Sequence, residues 1–132
     1  QSIELFHGYT YSGHPVAAAA GLATLDVYRE EGSFDQAREL ETMFAEAIHQ
    51  FDDHPMVIDV RNFGLMGAIE LAPREGAPGA RGLDAHKHCF WDQDLVIRNG
   101  MDILQFSPFL NSKPDDIHSM FDSVRLVLDK IN

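Results

Sequence analysis

The sequence predicts an α+β domain in which helices cover one face of a small, mostly antiparallel sheet. Apolar residues recur three and four apart in two segments near the start of the chain and in one at its end, which is typical of amphipathic helices. The middle of the chain holds short segments that are rich in β-branched residues or alternate apolar and polar positions, as strands do. With one further helix between two strand pairs, the predicted order of elements is ααββαββα.

The first helix is predicted to follow His14-Pro15, because proline suits a first helical turn. Gly32 suits the end of this helix. Its apolar stripe comprises Val16, Ala20, Ala23 and Val27, with Leu22, Leu25 and Tyr28 adjoining it. A second helix is predicted from Ser33, whose hydroxyl can cap it. Its apolar face comprises Phe34, Ala37, Leu40, Phe44, Ala47 and Phe51.

The middle of the chain predicts a strand pair, a loop and a helix. Residues 57–61 are rich in β-branched side chains, and residues 65–71 alternate in polarity, so we expect two strands separated by a turn. Residues 72–82 contain three glycines and two prolines, which predicts a loop. A third helix is predicted over residues 83–93.

The last third of the chain predicts two more strands and a long helix. Residues 95–97 and 103–106 are apolar and flank a predicted turn at Asn99-Gly100. Ser112 can cap the last helix. The apolar stripe of that helix comprises Ile117, Met120, Phe121, Val124, Leu128 and Ile131.

Composition narrows the class of protein. The chain has 132 residues, of which 45% are hydrophobic and 23% charged, and this balance is typical of a soluble globular domain. Its formal net charge of −11 argues against nucleic acid and against an anionic membrane surface as partners. No apolar run approaches the roughly 20 residues that span a bilayer. Cys89 is the single cysteine, so we expect no internal disulfide and a reducing, cytoplasmic compartment.

The segment before the first helix is the densest candidate site. Residues 7–15 read His-Gly-Tyr-Thr-Tyr-Ser-Gly-His-Pro, and they bring the hydroxyls of Thr10, Tyr11 and Ser12 to a helix N-terminus. Hydroxyls beside free N–H groups favour an anion, phosphate above all. The alternative is an ordinary capped helix start.

Four segments in register resemble class III (fold type I) pyridoxal-phosphate aminotransferases. The first is HGYTYSGHPVAAAAGLATLDVY, from residue 7 onward. Residues 61–71 are similar to a hairpin of that family, and residues 72–82 to a loop of its β-alanine–pyruvate branch. Residues 95–98 and 106–108 resemble the strand pair that carries a substrate arginine and a serine-proline signature. The resemblance spans nearly the whole chain.

The resemblance implies that residues 1–132 are the C-terminal small domain of such an enzyme, with pyridoxal 5′-phosphate as cofactor. The family's reactive lysine, which forms a Schiff base with the cofactor, lies upstream of the first segment, and Lys87, Lys113 and Lys130 match no such position. We therefore expect no catalytic residue here and no activity of this chain alone. The chain starts at Gln1, and we expect it to be a piece of a longer protein.

Three residues take site roles from the resemblance. Thr10 corresponds to the threonine that binds the cofactor phosphate in the neighbouring subunit, which implies a homodimer. Tyr9 resembles the aromatic residue that borders that site, the alternative being simple packing. Arg98 corresponds to the arginine that binds the substrate carboxylate, and a planar guanidinium suits that task better than lysine does. The alternatives for Arg98 are a surface arginine or a structural pair with Asp102 or Asp94.

The implied activity is the transfer of an amino group from β-alanine or a related ω-amine to pyruvate. Alternatives are another class III enzyme, such as a diamine transaminase or an aminomutase, and a stand-alone acidic binding domain without catalysis. His86, His88 and Cys89 lack the paired spacing of zinc ligands, so no metal site is predicted. Where the family commonly has a second proline, this chain has Phe109, which leaves the shape of that strand end open.

Overall fold

The computed structural model describes residues 8–131 and divides the chain into two compact units, with the boundary between Ser33 and Phe34. The predicted order of elements is confirmed. The elements are α1 (Pro15–Glu30), α2 (Ser33–His49), β1 (Val57–Phe63), β2 (Met66–Leu71), α3 (Ala80–Gln93), β3 (Arg98–Gly100), β4 (Ile103–Phe106) and α4 (Pro114–Lys130). None of the helices in the described part of the chain is long and apolar enough to cross a membrane.

Helix α1 begins at Pro15, as predicted, and His14 caps it. The His14 Nδ1 atom accepts a hydrogen bond from the backbone N–H of Ala17 at 3.4 Å. The predicted apolar stripe is present, but no residue of α1 is buried, and Leu22 is 65% exposed.

The four strands form one antiparallel sheet in the order β1-β2-β4-β3, which confirms the predicted sheet type. Ile69 of β2 pairs with Leu104 of β4, and both side chains are fully buried. The adjacent pair, Ala68 and Gln105, therefore lies on the opposite face, because side chains alternate along a strand.

Helices α2 and α4 cover the buried face of the sheet, as the sequence predicted. The ring of Phe121 on α4 lies 5.4 Å from that of Phe44 on α2 and 5.3 Å from that of Phe106 on β4. Gly67 of β2 allows α2 to pack closely against the sheet, because a Cβ added there would lie 2.5 Å from Ile48 Cδ1. Phe34, predicted on the same face of α2, is instead 60% exposed.

The third strand was predicted at the wrong residues. Residues 95–97 lie outside the sheet, and Arg98–Gly100 form β3. The turn lies at Met101-Asp102 rather than at Asn99-Gly100, with Met101 in the left-handed region at φ +56°. The carboxylate of Asp102 is bound to the start of α3, and this long-range contact decides where the hairpin turns.

Two predicted helix starts also need correction. Helix α3 begins at Ala80, three residues earlier than predicted, because its cap is Asp102 from a distant part of the chain rather than a local side chain. In α4 the N-cap residue is Lys113 and not Ser112. The backbone N–H of Lys113 donates to Asp116 Oδ2 at 2.8 Å, so a carboxylate inside the first turn closes the helix end.

Candidate functional site

Arg98 projects from the face of the sheet that is turned away from the core. It pairs in register with Gln105 of β4, whose neighbours Leu104 and Phe106 are buried on the other face. Residues opposite each other in an antiparallel pair present their side chains on the same face. Arg98 and Gln105 are therefore neighbours on the open side of the sheet.

Both side chains line a cavity of about 860 Å³ at this end of the sheet. Of its described lining residues, Arg98 alone carries a charge. Most of the others are apolar, among them Met66, Val96, Pro108, Phe109 and Met120. One cation on an apolar wall, in a chain of net charge −11, makes this cavity suitable for a small anionic ligand with an apolar portion.

The structural pairing considered for Arg98 is absent from the described residues. Both carboxylate oxygens of Asp102 are bound by backbone N–H groups, that of Gly79 at 2.6 Å and that of Gly82 at 2.9 Å. Asp94 ends α3 in a left-handed conformation, and no ion pair joins it to Arg98. No described residue forms a hydrogen bond or ion pair with the guanidinium of Arg98, which leaves its fork available to a ligand carboxylate.

The backbone around Arg98 is held firmly by α3. His86 Nδ1 donates to the carbonyl of Ile97 at 2.8 Å, so the proton must be on Nδ1, because a carbonyl only accepts. Further along the hairpin, an added Cβ at Gly82 would lie 2.1 Å from the carbonyl oxygen of Met101. The main chain is thus fixed on both sides of an unpaired side chain, an arrangement that suits a binding residue.

The candidate metal ligands of the sequence have other contacts. His88 Nδ1 lies 2.8 Å from Asp92 Oδ2, which also accepts from Lys130 Nζ at 2.6 Å. These two contacts hold the pKa of Asp92 below its usual value, Lys130 contributing most. Cys89 is fully buried, and burial raises the pKa of its thiol to about 11. Within the described ranges, no three potential ligands come together.

The second candidate site, at the start of α1, is a compact turn. The N–H of Ser12 donates to the carbonyl of Tyr9 at 3.1 Å, and Gly13 adopts φ +76°, which glycine allows without strain. Tyr9 is 72% exposed, so it is not a core residue. Thr10 is exposed, and its hydroxyl forms no hydrogen bond with the described residues. His7 of this segment lies outside the described residues.

The donor set of this turn fits a phosphate group, though not a whole cofactor. The Thr10 hydroxyl has no partner among the described residues and can donate to an anion, whereas the N–H of Ala17 in the first turn of α1 is already bound to His14 Nδ1. The chain has three lysines, Lys87, Lys113 and Lys130, and none of them lies in this segment. A cofactor bound by this segment would therefore need a lysine from another part of the protein.

Comparison with known proteins identifies the class. The sequence matches the profile of the class III aminotransferases over residues 1–128, and the chain belongs to that family. This confirms the resemblance seen in the sequence.

Two relatives and one solved structure show which members of the family this chain is similar to. The chain is 49% identical to an omega-aminotransferase of Caulobacter vibrioides and 43% identical to a beta-alanine–pyruvate aminotransferase of Pseudomonas aeruginosa. Each alignment covers 98% of this chain and 29% of the relative, so the chain spans less than a third of their length. The fold matches the crystal structure of an omega transaminase from Pseudomonas jessenii in complex with PMP, with a TM-score of 0.85 and 29% identity over 96% of this chain and 29% of that one.

The sequence analysis proposed Arg98 as a site residue and drew attention to Phe109 near it, but it did not identify Gln105, which lines the same cavity. Gln105 is the one polar residue of β4, between Leu104 and Phe106, so its place on the open face of the sheet could be predicted. Its position opposite Arg98 was not readable, because the predicted hairpin was misplaced. Met66 and Val96 reach the cavity through pairing and loop geometry that no local pattern encodes.

Proposed function

We propose that this chain is the C-terminal small domain of a homodimeric, pyridoxal-phosphate-dependent ω-amino acid–pyruvate transaminase. The whole enzyme would transfer an amino group from β-alanine or a related ω-amine to pyruvate. The substrate assignment rests on one observation: Arg98 has no partner among the described residues, and no other described residue lining its cavity is charged. Pyruvate and β-alanine both bear a carboxylate, which the guanidinium fork binds with two parallel hydrogen bonds.

In this proposal Arg98 orients the substrate and does no chemistry itself. The fork fixes the carboxylate, so the reacting end of a short substrate points away from β3 at a defined distance. The apolar wall beside Arg98 accommodates methylene or methyl groups and excludes water from them. An amine donor without a carboxylate would use the apolar wall alone, with the flexible arginine turned aside.

Thr10 would bind the cofactor. Its exposed hydroxyl, next to the N-terminus of α1, would donate to the phosphate of pyridoxal phosphate in the neighbouring subunit, and Tyr9 would border the same site. When bound, the cofactor supplies an electron sink and a carrier for the amino group. The lysine that holds the cofactor would come from the part of the enzyme outside this chain.

Replacement of Arg98 in the full-length enzyme tests the substrate assignment. Arg98→Ala should raise the Michaelis constants for pyruvate and β-alanine about 30- to 1000-fold, because a bidentate charged contact of about 2 to 4 kcal/mol is lost. Arg98→Lys should recover only part of this loss, since an ammonium group presents no planar fork. Arg38→Ala is the matched control, because Arg38 is an exposed arginine of α2 with only a 3.8 Å ion pair to Asp35.

Aryl-alkyl amines provide the internal comparison. Their half-reaction, followed as bleaching of the cofactor, should decline much less than that of β-alanine in Arg98→Ala. If both donor types decline equally and the thermal stability falls with them, Arg98 is a structural residue and the substrate assignment fails.

A further inference from the structure

We propose that Gln105 is a second binding residue for the substrate carboxylate, acting beside Arg98. This inference rests on the proposed function and adds a residue that neither the motifs nor the family comparison assigns. Gln105 lies on β4 directly opposite Arg98, and both line the same cavity. A residue with a guanidinium and a residue with a primary amide thus line one ligand space from adjacent strands.

The side chain of Gln105 is available for this contact. It forms no hydrogen bond with any described residue, although it is half-buried. The amide atoms of Gln105 are not cut off from solvent, so a ligand in the cavity can reach them. Gly100 gives it room, because a Cβ added there would lie 3.2 Å from the Gln105 amide nitrogen. The amide therefore lies over the end of β3, and a larger residue at position 100 would have to displace it.

The chemistry of the two donors is complementary. A carboxylate offers about four acceptor positions on its two oxygens, and the arginine fork occupies two of them. The amide N–H₂ of Gln105 can donate to a third without adding charge, so the ligand keeps its electrostatic pairing with Arg98. A third hydrogen bond from the amide would restrict the orientation of the carboxylate further than the arginine fork does alone.

Kinetics of the full-length enzyme test the inference, with pyruvate and an aryl-alkyl amine as the two probes. Gln105→Met keeps the length of the side chain and removes its donors, so it should raise the KM for pyruvate about tenfold. The same variant should slow the half-reaction with the aryl-alkyl amine much less, because that donor has no carboxylate to lose a hydrogen bond. Gln105→Glu should raise the KM for pyruvate further, by about 100-fold, because the new carboxylate pairs with Arg98 across the strands.

A double-mutant cycle separates shared binding from independent effects. If both side chains bind one carboxylate, Gln105→Met should change the KM for pyruvate by less than about threefold once Arg98 is already alanine. Gly100→Ala is a milder second variant, because it displaces the amide without removing it, and a raised KM for pyruvate alone would support the proposal.

The outcomes distinguish a failure of the role of Gln105 from a failure of the proposed function. An unchanged KM for pyruvate in Gln105→Met, beside a raised KM in Arg98→Ala, overturns the role of Gln105 and leaves the proposed function intact. An equal loss with both probes, or full additivity in the cycle, also overturns it. An unchanged KM in Arg98→Ala overturns the proposed function, and the role of Gln105 with it.

Discussion

Asp102 and Gly82 are joined by a hydrogen bond of 2.9 Å, in which the backbone N–H of Gly82 donates to Asp102 Oδ1. The other oxygen, Oδ2, accepts from Gly79 N–H at 2.6 Å, so one carboxylate caps α3 and fastens the turn between β3 and β4. A negative group is favourable at this position because the N-terminus of a helix carries partial positive charge. The hairpin that bears Arg98 is thereby fixed to α3.

Gly82→Ala should destabilise the chain by about 1 to 3 kcal/mol, the usual range for an overpacked site. The added Cβ would lie 2.1 Å from the Met101 carbonyl oxygen and 2.8 Å from the Asp102 Cα, and both are backbone atoms that no rotamer change can move. Chemical denaturation measures the loss.

Gly21→Ala is the matched control, because Gly21 also lies within a helix and has no atom near its added Cβ. It should leave stability unchanged or raise it. Equal effects of the two substitutions would contradict the close contact at Gly82.

Asp102→Ala should lower the free energy of unfolding by about 1 to 3 kcal/mol, since two backbone donors lose their acceptor in a buried place. Asp102→Asn should fall between wild type and Asp102→Ala, because its carbonyl oxygen still accepts one of the two hydrogen bonds. Chemical denaturation gives both values. If Asp102→Ala is as stable as wild type, the carboxylate does not hold the hairpin to α3.

Local patterns in the sequence were sufficient for most of the fold, whereas the role proposed for Arg98 came from the resemblance to the family. Helical spacing located α1, α2 and α4, and alternation located β2, because these signals arise from residues close together in the chain. The start of α3 and the position of β3 were missed because both depend on Asp102, which is 20 residues from Gly82 in the sequence. Gln105 was missed for the same reason, since its relation to Arg98 follows from strand register.

The thiol of Cys89 should be unreactive in the folded chain at pH 8. It is fully buried, and its pKa is raised to about 11, so the reactive thiolate is scarce. A thiol reagent should label it only when denaturant unfolds the chain. Rapid labelling without denaturant would contradict the packing of Cys89 against the core.

The same raised pKa predicts a dependence of stability on pH. A thiol that holds its proton more tightly when folded contributes its full stabilisation below pH 9, the range of its ordinary pKa. This contribution declines as the pH rises from about 9 towards 11, because the unfolded state loses the proton first. The difference in unfolding free energy between wild type and Cys89→Ala should therefore shrink over this range. A difference that is constant from pH 8 to 11 would contradict it, whatever other groups titrate there, because those groups are common to both proteins.

Thr10→Ala should weaken cofactor retention in the full-length enzyme by about 1 to 3 kcal/mol, which is the usual effect of removing one hydrogen bond to a charged group. This corresponds to a rise of about 5- to 150-fold in the dissociation constant. Thr10→Ser should restore most of the affinity, since it returns the hydroxyl.

Thr24→Ala is the matched control from the same unit of the chain, because the Thr24 hydroxyl donates to the carbonyl of Ala20 at 2.9 Å inside α1. Cofactor release can be followed by its absorbance after dilution and filtration. If Thr10→Ala and Thr24→Ala release the cofactor equally fast, the Thr10 hydroxyl does not bind the phosphate, and the turn before α1 serves only to start the helix.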